Sequence, residues 1–79
     1  MNLSGVIHSD PEILHGAPVF AGTRVPVESL FWHLEDGVTI EGFIQDFPGV
    51  TREQCHAVIE MAAKIVGSKK LVELYEAAA

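Results

Sequence analysis

Apolar side chains recur along most of this chain with the period of an α-helix. Residues spaced three and four apart share one face of a helix, so this spacing indicates the face that packs against a core. Four stretches show it, at residues 27–35, 39–47, 51–66 and 68–79. The pattern predicts three helices that form a helical core and a fourth helix at the C-terminus.

The apolar stripes also predict which side chains form the core. They comprise Val27, Leu30, Phe31 and Leu34 in the first helix, Ile40, Phe43, Ile44 and Phe47 in the second, Val58, Ile59, Ala62, Ile65 and Val66 in the third, and Leu71, Leu74, Tyr75 and Ala78 in the fourth. Trp32 lies off the first stripe. A tryptophan in this position either covers a second contact surface or stays half-exposed. Because tryptophan is enriched at the centre of interfaces, we expect Trp32 to contact a partner or a second copy of the chain.

Residues with strong positional preferences mark the helix ends. Gly37 ends the first helix, and Thr39 is suited to cap the second. Pro48 and Gly49 break the chain before the third helix. Thr51 and Gln54 have the spacing of a capping box, in which each side chain bonds the other residue's backbone N–H.

The N-terminal part of the chain has a different pattern. Two short apolar runs, residues 18–20 and 24–26, flank the tight connection 21–23 and predict a β-hairpin. Gly22 supplies the positive φ that such a turn needs. Each run contains a proline, which places both at sheet edges. Residues 6–8 predict a lead strand that pairs with the hairpin or with another subunit.

These elements predict a mostly α protein with an N-terminal β-hairpin followed by a bundle of three to four helices. We expect a single domain over residues 1–79. Within it, residues 6–26 form the β-hairpin region, 27–66 the helical core and 68–79 the C-terminal helix.

Composition indicates that folding leaves apolar surface uncovered. Hydrophobic residues make up 48% of the 79 positions, and the mean hydropathy is +0.26. So short a chain buries only about 60% of the surface that it exposes when unfolded. We therefore expect a homodimer, with edge strands available for pairing. The residues predicted at a partner or dimer interface are Trp32, Val19, Phe20 and Val25.

Charge and cysteine content restrict the classes of protein further. The net charge of −6 opposes non-specific attraction to nucleic acid and suits a partner with a basic surface. The single cysteine excludes an internal disulfide and fits a reducing compartment. No apolar run has the length of a membrane span, and no secretion signal is evident. We expect a cytoplasmic protein that does not bind membranes.

The residues with reactive side chains show no arrangement typical of an enzyme. The histidines are His8, His15, His33 and His56, and none lies at metal-ligand spacing from another or from the cysteine. Cys55 falls among the apolar positions of a helix, where we expect a small core residue. No glycine-rich phosphate loop opens a helix. We predict no enzymatic activity, no metal and no cofactor.

Arg24 has two interpretations. Its guanidinium can tie the hairpin to backbone carbonyls or to the carboxylates of Asp10 or Glu12. Alternatively, it projects from the hairpin and contacts a ligand or a partner.

The second and third helices have the order of a helix-turn-helix, with residues 48–50 as the break. In that geometry Arg52 and His56, near the start of the third helix, would face the DNA groove. Arg24, Lys64, Lys69 and Lys70 are the candidate phosphate contacts. The third helix also carries Glu53 and Glu60, so its shape fits DNA binding better than its charges do.

Three segments resemble the domain-of-unknown-function 433 family. Residues 16–27 match the signature G-x-P-x-x-x-G-T-R-[IV]-P-V. Residues 37–43 resemble the segment G-x-[ST]-x-E-E-[IF], and residues 47–54 resemble [YF]-P-x-L-T-x-E-x-[IV]. The resemblance extends over residues 6–66 and implies a small prokaryotic protein with a homeodomain-like helical fold.

The resemblance also implies a function. Many members of the family are antitoxins encoded beside a PIN-like nuclease toxin. We therefore expect an antitoxin-like protein that neutralises such a toxin, with the helix-turn-helix as the candidate DNA-binding element of a transcriptional regulator. The alternative is a protein-only interaction module, a homodimer that does not bind DNA.

Overall fold

A computed structural model describes residues 5–78. Its elements, in chain order, are β1 (Ile7–His8), a 3-10 turn (Leu14–Gly16), β2 (Val19–Phe20), α1 (Glu28–Glu35), α2 (Ile40–Asp46), α3 (Arg52–Val66) and α4 (Lys70–Ala78). The prediction of a mostly helical protein with an N-terminal antiparallel strand pair is confirmed. The predicted domain also includes residues 1–4 and 79, which lie outside the described residues.

The β-hairpin forms as predicted, and the lead strand pairs with it. β1 pairs antiparallel with β2, with Ile7 opposite Phe20 and His8 opposite Val19. On the other side of β2, residues 24–26 form an antiparallel bridge between Val19 and Pro26, with the Phe20 N–H donating to the Val25 carbonyl at 2.9 Å and the Val27 N–H donating to the Pro18 carbonyl at 3.0 Å. Both prolines fit this pairing because neither bond needs a proline N–H. β2 is therefore paired on both sides.

The loop between β2 and α1 is tight, as the sequence predicts. Gly22 has a φ of 82°. The Thr23 hydroxyl donates to the Phe20 carbonyl at 2.8 Å and accepts from the Val25 N–H at 3.0 Å. These two bonds close the loop on itself, because one side chain satisfies both a strand carbonyl and a loop N–H.

The core lies where β2 meets the helices. Its buried apolar residues are Val19, Phe20, Val27, Leu30, Phe43, Val50, Cys55 and Val58. The Phe20 and Phe43 rings lie 6.0 Å apart and are tilted by 56°, a favourable aromatic geometry. The predicted role of Cys55 as a core residue is confirmed.

Two residues predicted at an interface belong to this core instead. Val19 and Phe20 have no exposed surface, so neither side chain can reach a partner while the fold is intact. The apolar run that contains them faces the helices rather than a second subunit. Val25 is half-buried and packs against the same core.

The end of α3 and all of α4 leave predicted core residues exposed. Ile65 is 45% exposed, Leu74 is 56% exposed, and Tyr75 is 73% exposed. Val66 is exposed too, and α4 has no buried residue. The core prediction is wrong for these positions: α4 contacts α3, and the last buried residue of the core is Val58, midway along α3.

Gln54 connects three parts of the fold. The capping box at the start of α3 is confirmed, with the Thr51 hydroxyl accepting from the Gln54 N–H at 3.1 Å and Gln54 Oε1 accepting from the Thr51 N–H at 3.0 Å. Gln54 Nε2 also donates to the carbonyls of Gly5 and Ala21, at 3.2 and 3.1 Å. One amide group thus caps α3 and holds both the N-terminal segment and the β2 loop against it.

Replacing Gln54 with Ala should lower the free energy of unfolding by about 2 kcal/mol, since it removes half of the capping box and two further hydrogen bonds. Gln54→Glu keeps the acceptor for the Thr51 N–H and loses both donors, so we expect about half of that loss. Gln45→Ala, at an exposed position of α2, is the matched control and should change stability by less than about 0.5 kcal/mol. Urea denaturation followed by circular dichroism measures all three. Equal stabilities of the Gln54 and Gln45 variants would contradict this role.

Candidate functional site

The face of α2 and α3 predicted to read DNA is exposed but is occupied by an ion pair. Arg52 and His56 are both exposed near the start of α3. The Arg52 guanidinium bonds the Glu41 carboxylate across the α2–α3 junction. This hydrogen bond, strengthened by charge attraction, lowers the pKa of Glu41 and raises that of Arg52 above its ordinary value.

The next turns of α3 carry a second ion pair on the same face. Residues 52, 56, 60 and 64 follow one another at intervals of four and so lie along one face of the helix. Lys64 Nζ lies 3.6 Å from the Glu60 carboxylate. Both cations of this face therefore have an acidic neighbour, and a DNA phosphate would have to compete with each carboxylate.

The other predicted DNA contacts lie on different surfaces. Lys69 and Lys70 lie beyond the end of α3, with Lys70 in the first turn of α4. Lys64 and Lys70 come together at one groove between α3 and α4. Arg24 lies in the loop after β2 and lines a different groove. The six predicted residues therefore do not form one continuous basic surface.

A groove of about 300 Å³ separates the end of α3 from α4. Its lining, called here the C-terminal groove, consists of Met61, Lys64, Ile65, Ser68, Lys70 and Leu74. Ile65 and Leu74 are exposed large apolar side chains, and Tyr75 follows Leu74 on α4. Exposed apolar side chains that cluster around a groove are typical of a protein interaction site.

Trp32 lies on α1 and is 53% exposed. About half of its surface is therefore available for the contact that the sequence predicts. Because α1 lies early in the chain and the C-terminal groove lies between the last two helices, the two features belong to separate elements.

A second groove, of about 620 Å³, is lined by Arg24. Its lining, called here the Arg24 groove, consists of His8, Ile13, Ala21, Gly22, Thr23 and Arg24. Within residues 5–78 the guanidinium pairs with neither Asp10 nor Glu12. Asp10 Oδ1 instead accepts from the Glu12 N–H at 2.9 Å. The exposed position of Arg24 favours the interpretation in which it contacts a ligand or partner.

His33 and Cys55 have structural surroundings. Nδ1 of His33 lies 2.7 Å from the Ser29 carbonyl, and its ring contacts Phe43 and Phe47 edge-on, at 5.1 and 5.5 Å between centroids. Burial raises the pKa of the Cys55 thiol, which keeps it protonated and poorly nucleophilic at neutral pH. Residues 5–78 contain no group of three metal-binding side chains, and no helix among them is long and apolar enough to cross a membrane.

Sequence reasoning missed two residues that shape these surfaces. Glu41 precedes Arg52 by eleven positions, and nothing in the helical spacing connects residues on either side of a break. His8 joins the Arg24 groove because β1 pairs with β2 and alternate strand residues face opposite sides.

The chain resembles other proteins over most of its length. The model of a family described as a protein of unknown function, DUF433, matches residues 7–62. A crystal structure of a DUF433 member protein from Anabaena variabilis ATCC 29413 is 24% identical, with a TM-score of 0.67. The match covers 78% of this chain and 61% of that one, so the chain spans less than two thirds of that protein's length. No curated protein matches the sequence.

Replacing Arg52 with Gln should raise the pKa of Glu41 toward the ordinary glutamate value, because the hydrogen bond and charge that lower it are lost. In the unmodified protein the pair stabilises the fold above the unfolded-state pKa of Glu41. This contribution is lost as the pH falls through the lowered folded-state pKa. An NMR titration of the Glu41 side-chain carboxyl measures the shift. Arg24→Gln removes the same charge elsewhere and should leave that titration unchanged; an equal change in both variants would refute the direct pairing.

Proposed function

This chain belongs to the DUF433 family, and we propose that it is an antitoxin-like binding protein whose C-terminal groove holds a partner protein. The observation that carries the proposal is the exposed apolar surface around that groove. Its residues have the helical spacing of a core face, yet the described chain offers nothing to cover them.

The energetics favour a protein partner for this surface. Burying a leucine or isoleucine side chain completely stabilises a complex by about 1.5–3 kcal/mol relative to leaving it in water. Ile65 and Leu74 are both exposed beside the groove, with Tyr75 adjacent. Tyrosine is among the residues that most often dominate binding energy at interfaces. A partner helix or loop bound here would bury these side chains and so gain hydrophobic free energy that folding of this chain does not provide.

Charge indicates the kind of partner. The chain carries a net charge of −6, which attracts a basic protein and speeds its association. A nuclease that binds RNA presents a basic surface, so the PIN-like toxin expected from the family resemblance fits this requirement. In this proposal the protein acts by binding and performs no reaction of its own.

DNA binding through α2 and α3 is the second candidate function. The order α2, residues 47–51, α3, together with the exposure of Arg52 and His56, favours it. The acidic neighbours of Arg52 and Lys64 make it the weaker candidate, because each phosphate contact must first displace a carboxylate.

Replacing Leu74 with Asp should weaken partner binding by about 30-fold or more, since it puts a charge into a desolvated apolar contact. The fold should survive because Leu74 is exposed in the free protein. Val72→Asp is a matched control: Val72 is also exposed on α4 but lies about 160° around the helix from Leu74. The measurement is co-purification with the product of the neighbouring gene, together with inhibition of that protein's nuclease activity.

Two outcomes would overturn this function. One is co-purification of Leu74→Asp as complete as that of the unmodified protein. The other is a homodimer, detected by light scattering, that Leu74→Asp converts to a monomer without affecting the toxin. In that case the C-terminal groove belongs to the predicted dimer interface.

If DNA binding also occurs, Glu41→Gln should tighten the complex with promoter DNA, because it frees the Arg52 guanidinium. Arg52→Gln should weaken it about tenfold or more. Glu35→Gln removes the same negative charge at an exposed position of α1 and should change affinity far less. Gel-shift titrations at several salt concentrations measure these effects. The absence of any salt-sensitive specific complex would rule out the second candidate.

A further inference from the structure

The Arg24 groove is free of acidic side chains in an acidic protein. The chain has eleven Asp and Glu against five Lys and Arg, yet no carboxylate among residues 5–78 lines this groove. Arg52 and Lys64 each have a carboxylate within 4.0 Å, whereas Arg24 has none among residues 5–78. An arginine that lines a groove and has no carboxylate near it is available to bind an anion from solution.

The loop that lines this groove also carries backbone donors. The N–H groups of Ala21, Thr23 and Val25 bond the Val6 carbonyl, the Phe20 carbonyl and the Thr23 hydroxyl. Those of Gly22 and Arg24, which alternate with them, have no acceptor within the described chain. A Cβ built at Gly22 meets no atom within 4 Å, so the space beside this backbone is open.

The loop is held in place before any ligand arrives. Phe20, at its start, is fully buried, and the Thr23 hydroxyl closes it from within. Gln54 Nε2 holds the Ala21 carbonyl from α3. Donors fixed in this way lose little entropy on binding, which favours recognition of a small ligand.

We propose that the Arg24 groove binds the phosphate group of a small molecule. The Arg24 guanidinium supplies a planar pair of donors suited to phosphate oxygens, His8 supplies a ring N–H, and the unpaired loop amides supply the rest. The volume of about 620 Å³ lies within the range of small-molecule sites, and Ile13 offers an apolar contact for the remainder of the ligand. This proposal does not depend on the partner protein or on the C-terminal groove.

A small phosphate compound fits better than DNA. The net charge of −6 repels a polyanion over its whole length, and five cationic side chains spread over separate surfaces cannot offset that repulsion. A ligand with one phosphate contacts only the groove itself.

The test is NMR titration of the ¹⁵N-labelled protein with inorganic phosphate and, separately, with adenosine monophosphate. We expect both to shift the amides of residues 8 and 21–25. Equal affinities identify free phosphate as the recognised compound, and at least tenfold tighter binding of the nucleotide identifies a phosphorylated small molecule that also uses the rest of the groove. Arg24→Met should weaken binding at least tenfold, and Gln45→Met, which introduces the same side chain at an exposed position of α2, should leave it unchanged.

Three results would overturn the proposal. One is unaltered affinity in Arg24→Met, whose folding circular dichroism verifies. Another is equal shifts at Lys64, Lys69 and Lys70, which would indicate attraction to any cation. The third is an acetate titration that matches phosphate in affinity, which would show a site for anions in general rather than for phosphate.

Discussion

Burial of Val19 and Phe20 is the constraint on which the rest of this structure depends. A pair of two-residue strands is too short to be stable in water by itself. It persists because both β2 side chains lie wholly inside the core, where Phe20 contacts Phe43 of α2. The loop after β2 is thereby fixed, and Gln54 attaches it to α3. The position of Arg24 is thus a consequence of the core packing of Val19 and Phe20, four and five residues earlier.

The same core determines which surfaces remain for binding. Its last member in the chain is Val58, midway along α3. Beyond that point the helical pattern continues, but the described residues after Val58 include no buried side chain. The chain therefore extends an amphipathic helical arm with its apolar side in solvent. Because this arm contributes no buried residue to the fold, it can present apolar side chains to a partner without a conflict between binding and stability.

Local sequence signals predicted most of the fold and little of the candidate site. Helix periods, the Thr51–Gln54 capping box and the turn at Gly22 depend on residues a few positions apart, and each is present in the structure. Contacts between distant residues were not accessible in this way. An apolar run such as residues 18–20 has the same sequence pattern whether it faces the core or another subunit. Val19 and Phe20 were therefore predicted at an interface, although both belong to the core. The Glu41–Arg52 pair crosses a helix break, where periodicity carries no information.

The distribution of charge distinguishes the candidate anion-binding surfaces from one another more clearly than the fold does. Only two arginines are present, and they lie in opposite electrostatic surroundings: Arg52 is paired with Glu41, while Arg24 lines a groove without carboxylates. An arginine already bonded to a carboxylate must give up that bond before it can bind a phosphate, whereas an unpaired one gives up only water. The helix-turn-helix order of α2 and α3 favours α3 as the site of anion binding. The difference in pairing between the two arginines favours the Arg24 groove instead. Since the C-terminal groove is mainly apolar, anion recognition and partner binding use separate parts of the molecule.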